Sequence, residues 1–305
     1  MIFRGNGKLL LSGEYVVLSG AKGLAVPTRA GQTLEISESG QAGQLLWQSF
    51  LLDGSSWFQG RFSVSDWEVL ESSDLHIAKR LQELFVAICS QNPAFAEKAN
   101  KKQATTRLEF PAEWGFGSSS TLIYMLSKWA NVDPFFLLDQ SFGGSGYDLI
   151  AAGASGPFMF WRDPQPQFAP IRLDWPFREA LFLVYLGKKQ NSREGIQRYR
   201  QRETLLQKEI QQVSALSEQL VEVKTRENFE GLLQEHELLL SQLLDLTRVQ
   251  DLHFSDFPGV VKSLGAWGGD FVLVSSGGLS AKAVKDYFHS AGFKTIFPFS
   301  EIVLC

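Results

Sequence analysis

Cysteine and histidine are scarce in this sequence. The chain has two cysteines, Cys89 and Cys305, and four histidines that are scattered without the spacing of metal ligands. This scarcity argues against a disulfide framework and against a zinc site, and it favours a protein of the reducing cytoplasm. We therefore expect each histidine to be a surface or packing residue.

Long apolar runs and an excess of basic charge are also missing. No apolar stretch is long enough to span a bilayer, and the apolar run near the N-terminus is broken by Gly13 and Glu14, unlike a signal peptide. The formal net charge is -4, which gives no electrostatic basis for binding nucleic acid or an anionic membrane. We therefore expect neither a membrane nor a nucleic acid as the main partner.

The chain does have the length and composition for a large core. With 305 residues, of which 44% are hydrophobic, it can form one large domain or two smaller ones. A proline-rich stretch over residues 163–170 predicts a boundary between two domains, residues 1–165 and residues 166–305.

Apolar periodicity predicts a mixture of strands and helices, which is an α+β fold. Residues 74–91 carry an apolar stripe at helical spacing and predict a helix, and residues 197–246 predict two or three long helices with charged faces. The aromatic residues between 33 and 69 are expected to pack in the core, because no basic residues interleave them. The glycine-divided N-terminal segment predicts short strands over residues 2–4, 8–11, 15–18 and 24–26.

The stretch from Phe110 to Ala130 combines a strand end, a turn of glycine and serine, and a helix start. Gly115 and Gly117 let the backbone approach a ligand closely, and the first free N–H groups of the helix point into the turn with the positive end of the helix dipole. The hydroxyls of residues 118–120 can cap the helix, donate to phosphate oxygens or ligate Mg²⁺. Taken alone, the pattern also fits a serine-capped helix after a glycine turn.

Two further stretches contain residues suited to catalysis or binding. Asp148 follows a glycine-rich turn at the start of a short helix, where a carboxylate is either a helix cap or an ionised functional group. Lys8 and Glu14 stand in an apolar segment, where charges must be paired or must contact a ligand. Residues 263–274 contain a third glycine turn, which is followed by an apolar strand.

Together these stretches resemble the three motifs of the GHMP kinase family, which includes galactokinase, homoserine kinase, mevalonate kinase and phosphomevalonate kinase. The first motif appears as GKLLLSGEYVVLSGAKGLAVP from Gly7, the second as PAEWGFGSSST from Pro111, and the third as GAWGGDFVLV from Gly265. Their order and spacing are similar to the family's over nearly the whole chain, and the details resemble the mevalonate kinase and phosphomevalonate kinase branch. The resemblance implies an N-terminal domain like ribosomal protein S5 domain 2, a ferredoxin-like C-terminal domain, and an active site in the cleft between them.

The resemblance also implies roles for individual residues, with ATP and Mg²⁺ as cofactors. Asp148 is expected to be the catalytic base or to orient the attacking hydroxyl, and Lys8 to lower the pKa of Asp148 and stabilise the transferring phosphoryl group. The residues expected to bind ATP are Pro111, Gly115, Phe116, Gly117, Ser118, Ser119, Ser120 and Thr121. The residues expected at the substrate are Glu14, Ser145, Gly146, Lys188, Gly268 and Gly269. The expected Mg²⁺ ligands are Ser119, Ser120 and Asp139.

The implied activity is transfer of the γ-phosphoryl group of ATP to mevalonate, phosphomevalonate or a related small metabolite, by a monomer or homodimer. A sugar or homoserine kinase and a decarboxylase of diphosphomevalonate are alternatives within the family. A catalytically silent binding protein is a further alternative, because Trp267 stands where the family's third motif has small residues.

Overall fold

The computed structural model describes residues 1–188, 192–201, 207–265, 267 and 269–305. Over these residues the chain has the mixed α+β architecture that the sequence predicts. It divides into two compact units, neither of which is continuous in sequence. Unit one contains Met1–Gly7, Ala30–Ala112 and Phe116–Gly153, and unit two contains Lys8–Arg29, Glu113–Gly115 and Ala154–Cys305. The domain boundary predicted after residue 165 stays a prediction.

Strands and helices alternate in groups along the described part of the chain. The strands are β1 (Ile2–Leu10), β2 (Gly23–Glu38), β3 (Gln44–Phe50), β4 (Ser56–Ser63), β5 (Val69–Ser72), β6 (Lys102–Leu108), β7 (Phe158–Arg162), β8 (Pro166–Pro170), β9 (Leu181–Tyr185), β10 (Val260–Ser263), β11 (Phe271–Ser275) and β12 (Ile296–Pro298). The helices are α1 (Leu75–Gln91), α2 (Phe95–Ala99), α3 (Ser118–Ala130), α4 (Pro134–Asp139), α5 (Tyr147–Gly153), α6 (Ser192–Arg200), α7 (Gln207–Glu222), α8 (Arg226–Leu244), α9 (Val249–His253), α10 (Ala281–Ser290) and α11 (Phe299–Ile302).

In unit one, a sheet with the order β5, β4, β3, β6 and β2 is covered by helices. β3 runs parallel to β6, and the second half of β2 pairs with β6 in antiparallel register from Gln32 opposite Leu108 to Glu38 opposite Lys102. The core between sheet and helices is rich in aromatic rings, with the Phe85 ring centroid 4.8 Å from that of Trp67. Trp47, Phe58, Phe62 and Trp67 are buried, as predicted for this region. The prediction is wrong for Trp57, which is exposed because it points to the opposite face of β4 from its neighbour Phe58.

Helix α1 shows how local sequence sets an element's bounds. The side chain of Asp74 accepts hydrogen bonds from the backbone N–H groups of His76 and Ile77, so the helix starts at the residue after this cap. Its apolar stripe is buried against the sheet, as the periodicity predicts. The predicted helix over residues 74–91 is therefore confirmed.

In unit two, β10, β11, β9 and β12 form a four-stranded antiparallel sheet in that order. Its apolar face packs with α9 and α10 in a core that includes Phe182, Val272 and Phe288. Two of the long helices predicted over residues 197–246, α7 and α8, also belong to this unit. None of the helices described in the structure is both long enough and apolar enough to cross a lipid bilayer.

Two local predictions are wrong. β1 continues through Gly5 and Gly7 instead of being divided there. The strand predicted over residues 15–18 is instead a short 3-10 helix, Val16–Ser19, because the backbone turns at Gly13 (φ 89°) and at Tyr15 (φ 64°). Within the proline-rich stretch, Pro166–Pro170 forms β8, which pairs with β7 at an edge of the sheet, where proline is tolerated.

A close backbone approach between β1 and β2 gives a test of the first unit. A Cβ atom at Gly31 would lie 2.1 Å from the carbonyl oxygen of Gly5 and 3.0 Å from Cα of Asn6. Because both neighbours are backbone atoms that cannot rotate away, we expect Gly31→Ala to lower the free energy of unfolding by about 1–3 kcal/mol in urea denaturation. The matched control is Gly156→Ala, where a Cβ meets nothing within 4 Å. Equal stability of the two variants would contradict this packing.

Candidate active site

The segment before the glycine and serine turn is held by aromatic packing in unit two. The ring of Trp114 lies 5.4 Å from that of Phe271 and 5.3 Å from that of Phe297, measured between centroids. The hydroxyl of Tyr185 donates a hydrogen bond to the carbonyl of Glu113 at 3.3 Å. These contacts fix residues 113–115 against β9, β11 and β12, so this part of the turn has a defined position on the four-stranded sheet.

Residues of all three sequence motifs meet at Gly115. The ammonium group of Lys8 donates a hydrogen bond to the Gly115 carbonyl at 2.8 Å. On the other side, a Cβ atom at Gly115 would lie 2.2 Å from Oδ2 of Asp270, so the aspartate carboxylate occupies the space that any side chain would need. Gly115 also has φ 67°, a conformation that favours glycine. Glycine is therefore required here both by its backbone conformation and by its neighbour.

The turn leads directly into α3 in unit one. Gly117, with φ 88°, precedes the first helical residue, and the N–H of Thr121 donates to the Gly117 carbonyl at 3.0 Å. No side chain among the described residues caps this end of the helix. The first backbone N–H groups of α3 are therefore suited to binding an anion, and the exposed hydroxyl of Ser119 lies beside them.

Ser120 and Asp148 form a hydrogen-bonded pair. The buried Ser120 hydroxyl donates to Oδ2 of Asp148 at 2.5 Å, and Asp148 lies in the first turn of α5. The structure thus brings together two residues predicted from different motifs. The pair places a carboxylate beside the start of α3.

The other predicted residues of unit one are distributed around this pair. Ser145 and Gly146 form the buried turn that leads into α5, and Gly146 (φ 91°) packs against the ring of Phe135. Asp139 is exposed at the end of α4. Thr121 is buried and donates to Oε1 of Gln32 at 2.6 Å.

Two predicted residues beside this turn differ in exposure. Phe116 is buried against Phe110, and Pro111 is half-buried.

The predicted residues of the third motif lie beside Asp270 in unit two. Lys188 is exposed, and its carbonyl accepts a hydrogen bond from the N–H of Asp270 at 2.8 Å. Gly269 is buried, whereas Gly268 lies outside the described residues. Sequence reasoning missed Asp270 itself, although the GGD step of the third motif includes it.

Glu14 belongs to a buried cluster of charged and titratable groups that the sequence did not predict. Its carboxylate pairs with Lys262 at 2.5 Å, and Glu237 lies 3.7 Å from the same ammonium group. Nε2 of His236 accepts a hydrogen bond from the N–H of Gly13 at 2.9 Å, which makes this histidine a packing residue, as expected. Lys262 could have been noticed because, like Lys8 and Glu14, it is a charge in an apolar segment.

Burial shifts the acid–base behaviour of this cluster. Desolvation raises the pKa of Glu14, against the opposing charge of Lys262. Desolvation also raises the pKa of Glu237 to about 8, and it lowers the pKa of His236 well below its usual value. Glu237 and His236 are therefore neutral near pH 7.

Tyr15 and Trp267 link the first motif to the third. The hydroxyl of Tyr15 accepts a hydrogen bond from the backbone N–H of Trp267 at 2.9 Å, and the indole N–H of Trp267 donates to the carbonyl of Thr247 at 3.1 Å. The bulky residue that departs from the family pattern is thus accommodated by contacts within unit two.

The contact between Gly115 and Asp270 predicts a specific coupling. Gly115→Ala should lower the free energy of unfolding by roughly 2–4 kcal/mol, because it adds a clash to a strained φ. Adding Asp270→Ala to this variant should relieve the clash but leave the backbone strain of alanine at a positive φ. The two substitutions should therefore be strongly non-additive in a double-mutant cycle of urea unfolding. Additive effects would contradict the contact.

Comparison with known proteins gives matches to solved structures only. No protein-family model matches the chain, and no curated protein matches it in sequence. The mevalonate kinase of Methanococcus jannaschii superposes with a TM-score of 0.71 at 17% identity, covering 100% of this chain and 98% of that one.

Two further kinases match over similar lengths. Phosphomevalonate kinase of Streptococcus pneumoniae, solved with phosphomevalonate and AMPPNP, gives 0.70 at 17% identity and covers 97% of this chain and 99% of that one. Galactokinase of Lactococcus lactis, solved with galactose, gives 0.68 at 12% identity and covers 99% and 92%. The fold of this chain is therefore that of the GHMP kinases.

Proposed function

We propose that this chain transfers the γ-phosphoryl group of ATP to a hydroxyl or phosphate group of a small anionic metabolite in the cytoplasm. Mevalonate and phosphomevalonate are the first candidates for the acceptor. The observation that carries the proposal is the convergence of Lys8, Asp270 and Gly115 at a turn that opens into an uncapped helix start. Similarity of fold to kinases that bind these metabolites supports it.

In this proposal the turn and the start of α3 bind the phosphates of ATP. Phosphoryl transfer depends mainly on in-line positioning and on neutralising charge, with little covalent chemistry by the protein. The backbone N–H groups of residues 118–120 and the ammonium group of Lys8 supply positive charge. The hydroxyl of Ser119 adds a donor at the same helix end.

Asp148 acts on the acceptor. For a hydroxyl acceptor, its carboxylate takes the proton that is lost as the new P–O bond forms and the bond from the γ-phosphorus to the leaving ADP breaks. For a phosphate acceptor, the attacking oxygen is already anionic, so no proton has to be removed. The hydrogen bond from Ser120 to Oδ2 holds the carboxylate in place in either case.

Ser119, Ser120 and Asp139 are the candidates to hold Mg²⁺. Their donor atoms are all hydroxyl or carboxylate oxygens, which is the chemistry that Mg²⁺ prefers. Among the described residues, no three His, Cys, Asp or Glu side chains form a metal-binding group, and Mg²⁺ in kinases is characteristically held by one or two protein ligands together with substrate phosphates and water. When bound, the ion neutralises phosphate charge.

A catalytically silent binding protein is the second candidate function. The observation that favours it is the bulky Trp267 in the third motif, whose backbone N–H donates to the Tyr15 hydroxyl and whose indole N–H donates to the carbonyl of Thr247. A diphosphomevalonate decarboxylase and a sugar or homoserine kinase remain alternatives within the enzyme class.

The experiment is an assay of ADP release from MgATP with mevalonate, phosphomevalonate, diphosphomevalonate, galactose or homoserine, with product masses recorded. We expect turnover with one acceptor, and release of carbon dioxide would identify a decarboxylase. Asp148→Asn should reduce turnover by about 10²–10⁴-fold, because the variant cannot accept the proton, while ATP still binds.

The matched control is Asp174→Asn, which changes an exposed aspartate in the same way and should leave turnover unchanged. Full activity of Asp148→Asn would overturn the role of that residue. Binding of ATP without turnover of any acceptor by the unmodified protein would favour the silent binding protein.

A further inference from the structure

Two carboxylates compete for one buried ammonium group beneath the first motif. Lys262 donates to Oε1 of Glu14 at 2.5 Å and to the carbonyl of Ser263 at 2.8 Å, and its Nζ lies 3.7 Å from Oε1 of Glu237. The side chains of Glu14, Lys262 and Glu237 are at most 3% exposed. One ammonium group balances one carboxylate, so a second ionised carboxylate would leave an uncompensated charge in the interior.

Geometry indicates which carboxylate stays neutral. Glu14 forms the direct ion pair, whereas Glu237 lies 3.7 Å from the ammonium group and neither of its oxygens makes a hydrogen bond of normal geometry among the described residues, although the backbone of Ser263 is near enough to lower its pKa. A neutral carboxyl group can stay in such a place at a far lower cost than an ionised one. Glu237 is thus the neutral partner.

The cluster is connected to the backbone of both neighbouring motifs. His236, next to Glu237 on α8, accepts the hydrogen bond from the N–H of Gly13, and Glu14 follows Gly13 directly. Tyr15, the next residue, accepts from the N–H of Trp267. The residues on either side of Glu14 therefore make hydrogen bonds to α8 and to the third motif.

We propose that Glu237 is a positioning residue. As a neutral acid it does not compete with Glu14 for the Lys262 ammonium group, and the intact ion pair fixes residues 13–15 and Trp267. When Glu237 loses its proton, it competes for Lys262, and residues 13–15 and Trp267 become less firmly held. The effect on turnover rests on the proposed function, whereas the effect on the backbone does not.

The direction of the pH dependence follows from the charges around Glu237. Burial and the neighbouring Glu14 raise its pKa from 4.5 to about 8, against the opposing charges of Lys262 and Arg248. The stabilisation that the protonated group contributes is complete below pH 4.5, and as pH rises towards 8 the equilibrium constant for opening increases by up to about tenfold per pH unit. His236 has a lowered pKa and does not titrate in the alkaline range.

The test is amide hydrogen exchange of peptides containing Gly13 and Trp267 in the full chain between pH 6.5 and 9, corrected for the intrinsic rate. Protection in the unmodified protein should fall by about tenfold or more over this range. In Glu237→Gln, which keeps the shape and neutrality of the side chain, protection should stay constant. Glu235→Gln changes an exposed residue on the same helix and should behave like the unmodified protein.

Three results would overturn the proposal: constant protection in the unmodified protein, an equal fall of protection in Glu237→Gln, or failure of Glu237→Gln to fold. If an acceptor is turned over, its KM should rise above pH 8 in the unmodified protein and rise less in Glu237→Gln, with a smaller effect on kcat. Absence of turnover would count against the proposed function alone, because the exchange result decides the positioning role independently.

Discussion

The packing of the Asp270 carboxylate against Cα of Gly115 is the contact on which the candidate site depends. It leaves no room for a side chain at residue 115, and it sets the backbone whose carbonyl accepts from Lys8. A single close approach thus joins residues from the beginning, middle and end of the chain. Aromatic packing of Trp114 on the four-stranded sheet of unit two holds the turn next to Asp270.

A buried ion pair constrains the first motif at Glu14. The ion pair of Glu14 and Lys262 is removed from water, where the cost of desolvation is large unless charges are balanced and hydrogen-bonded. Glu237 and His236 meet that condition by staying neutral near pH 7. We interpret the cluster as a device that specifies the position of the first motif, since an apolar core of the same volume could not anchor the turn through hydrogen bonds.

The sequence predicted what is encoded locally. The apolar stripe of α1, the helix that follows the glycine and serine turn, and the placement of Asp148 at the start of α5 all follow from residues close together in the chain. The turn at Tyr15 was missed because a positive φ at a non-glycine residue has no sequence signal. Strand β8 was missed because proline normally marks a loop and is tolerated only at a sheet edge.

The contacts that build the site could not be predicted in the same way. The contact of Asp270 with Gly115 and the sharing of Lys262 by two carboxylates join residues far apart in sequence, and no local pattern specifies such pairs. What the sequence did offer was the residue types, since charges in apolar segments must find partners. Which partner each charge finds is decided by tertiary packing.

Phosphate binding at the start of α3 is the property on which the proposed kinase activity depends. The most direct test is a crystal structure of the protein with Mg²⁺ and AMPPNP. We expect the phosphates to contact the backbone N–H groups of residues 118–120. Phosphates bound away from this helix start would contradict the proposed binding mode.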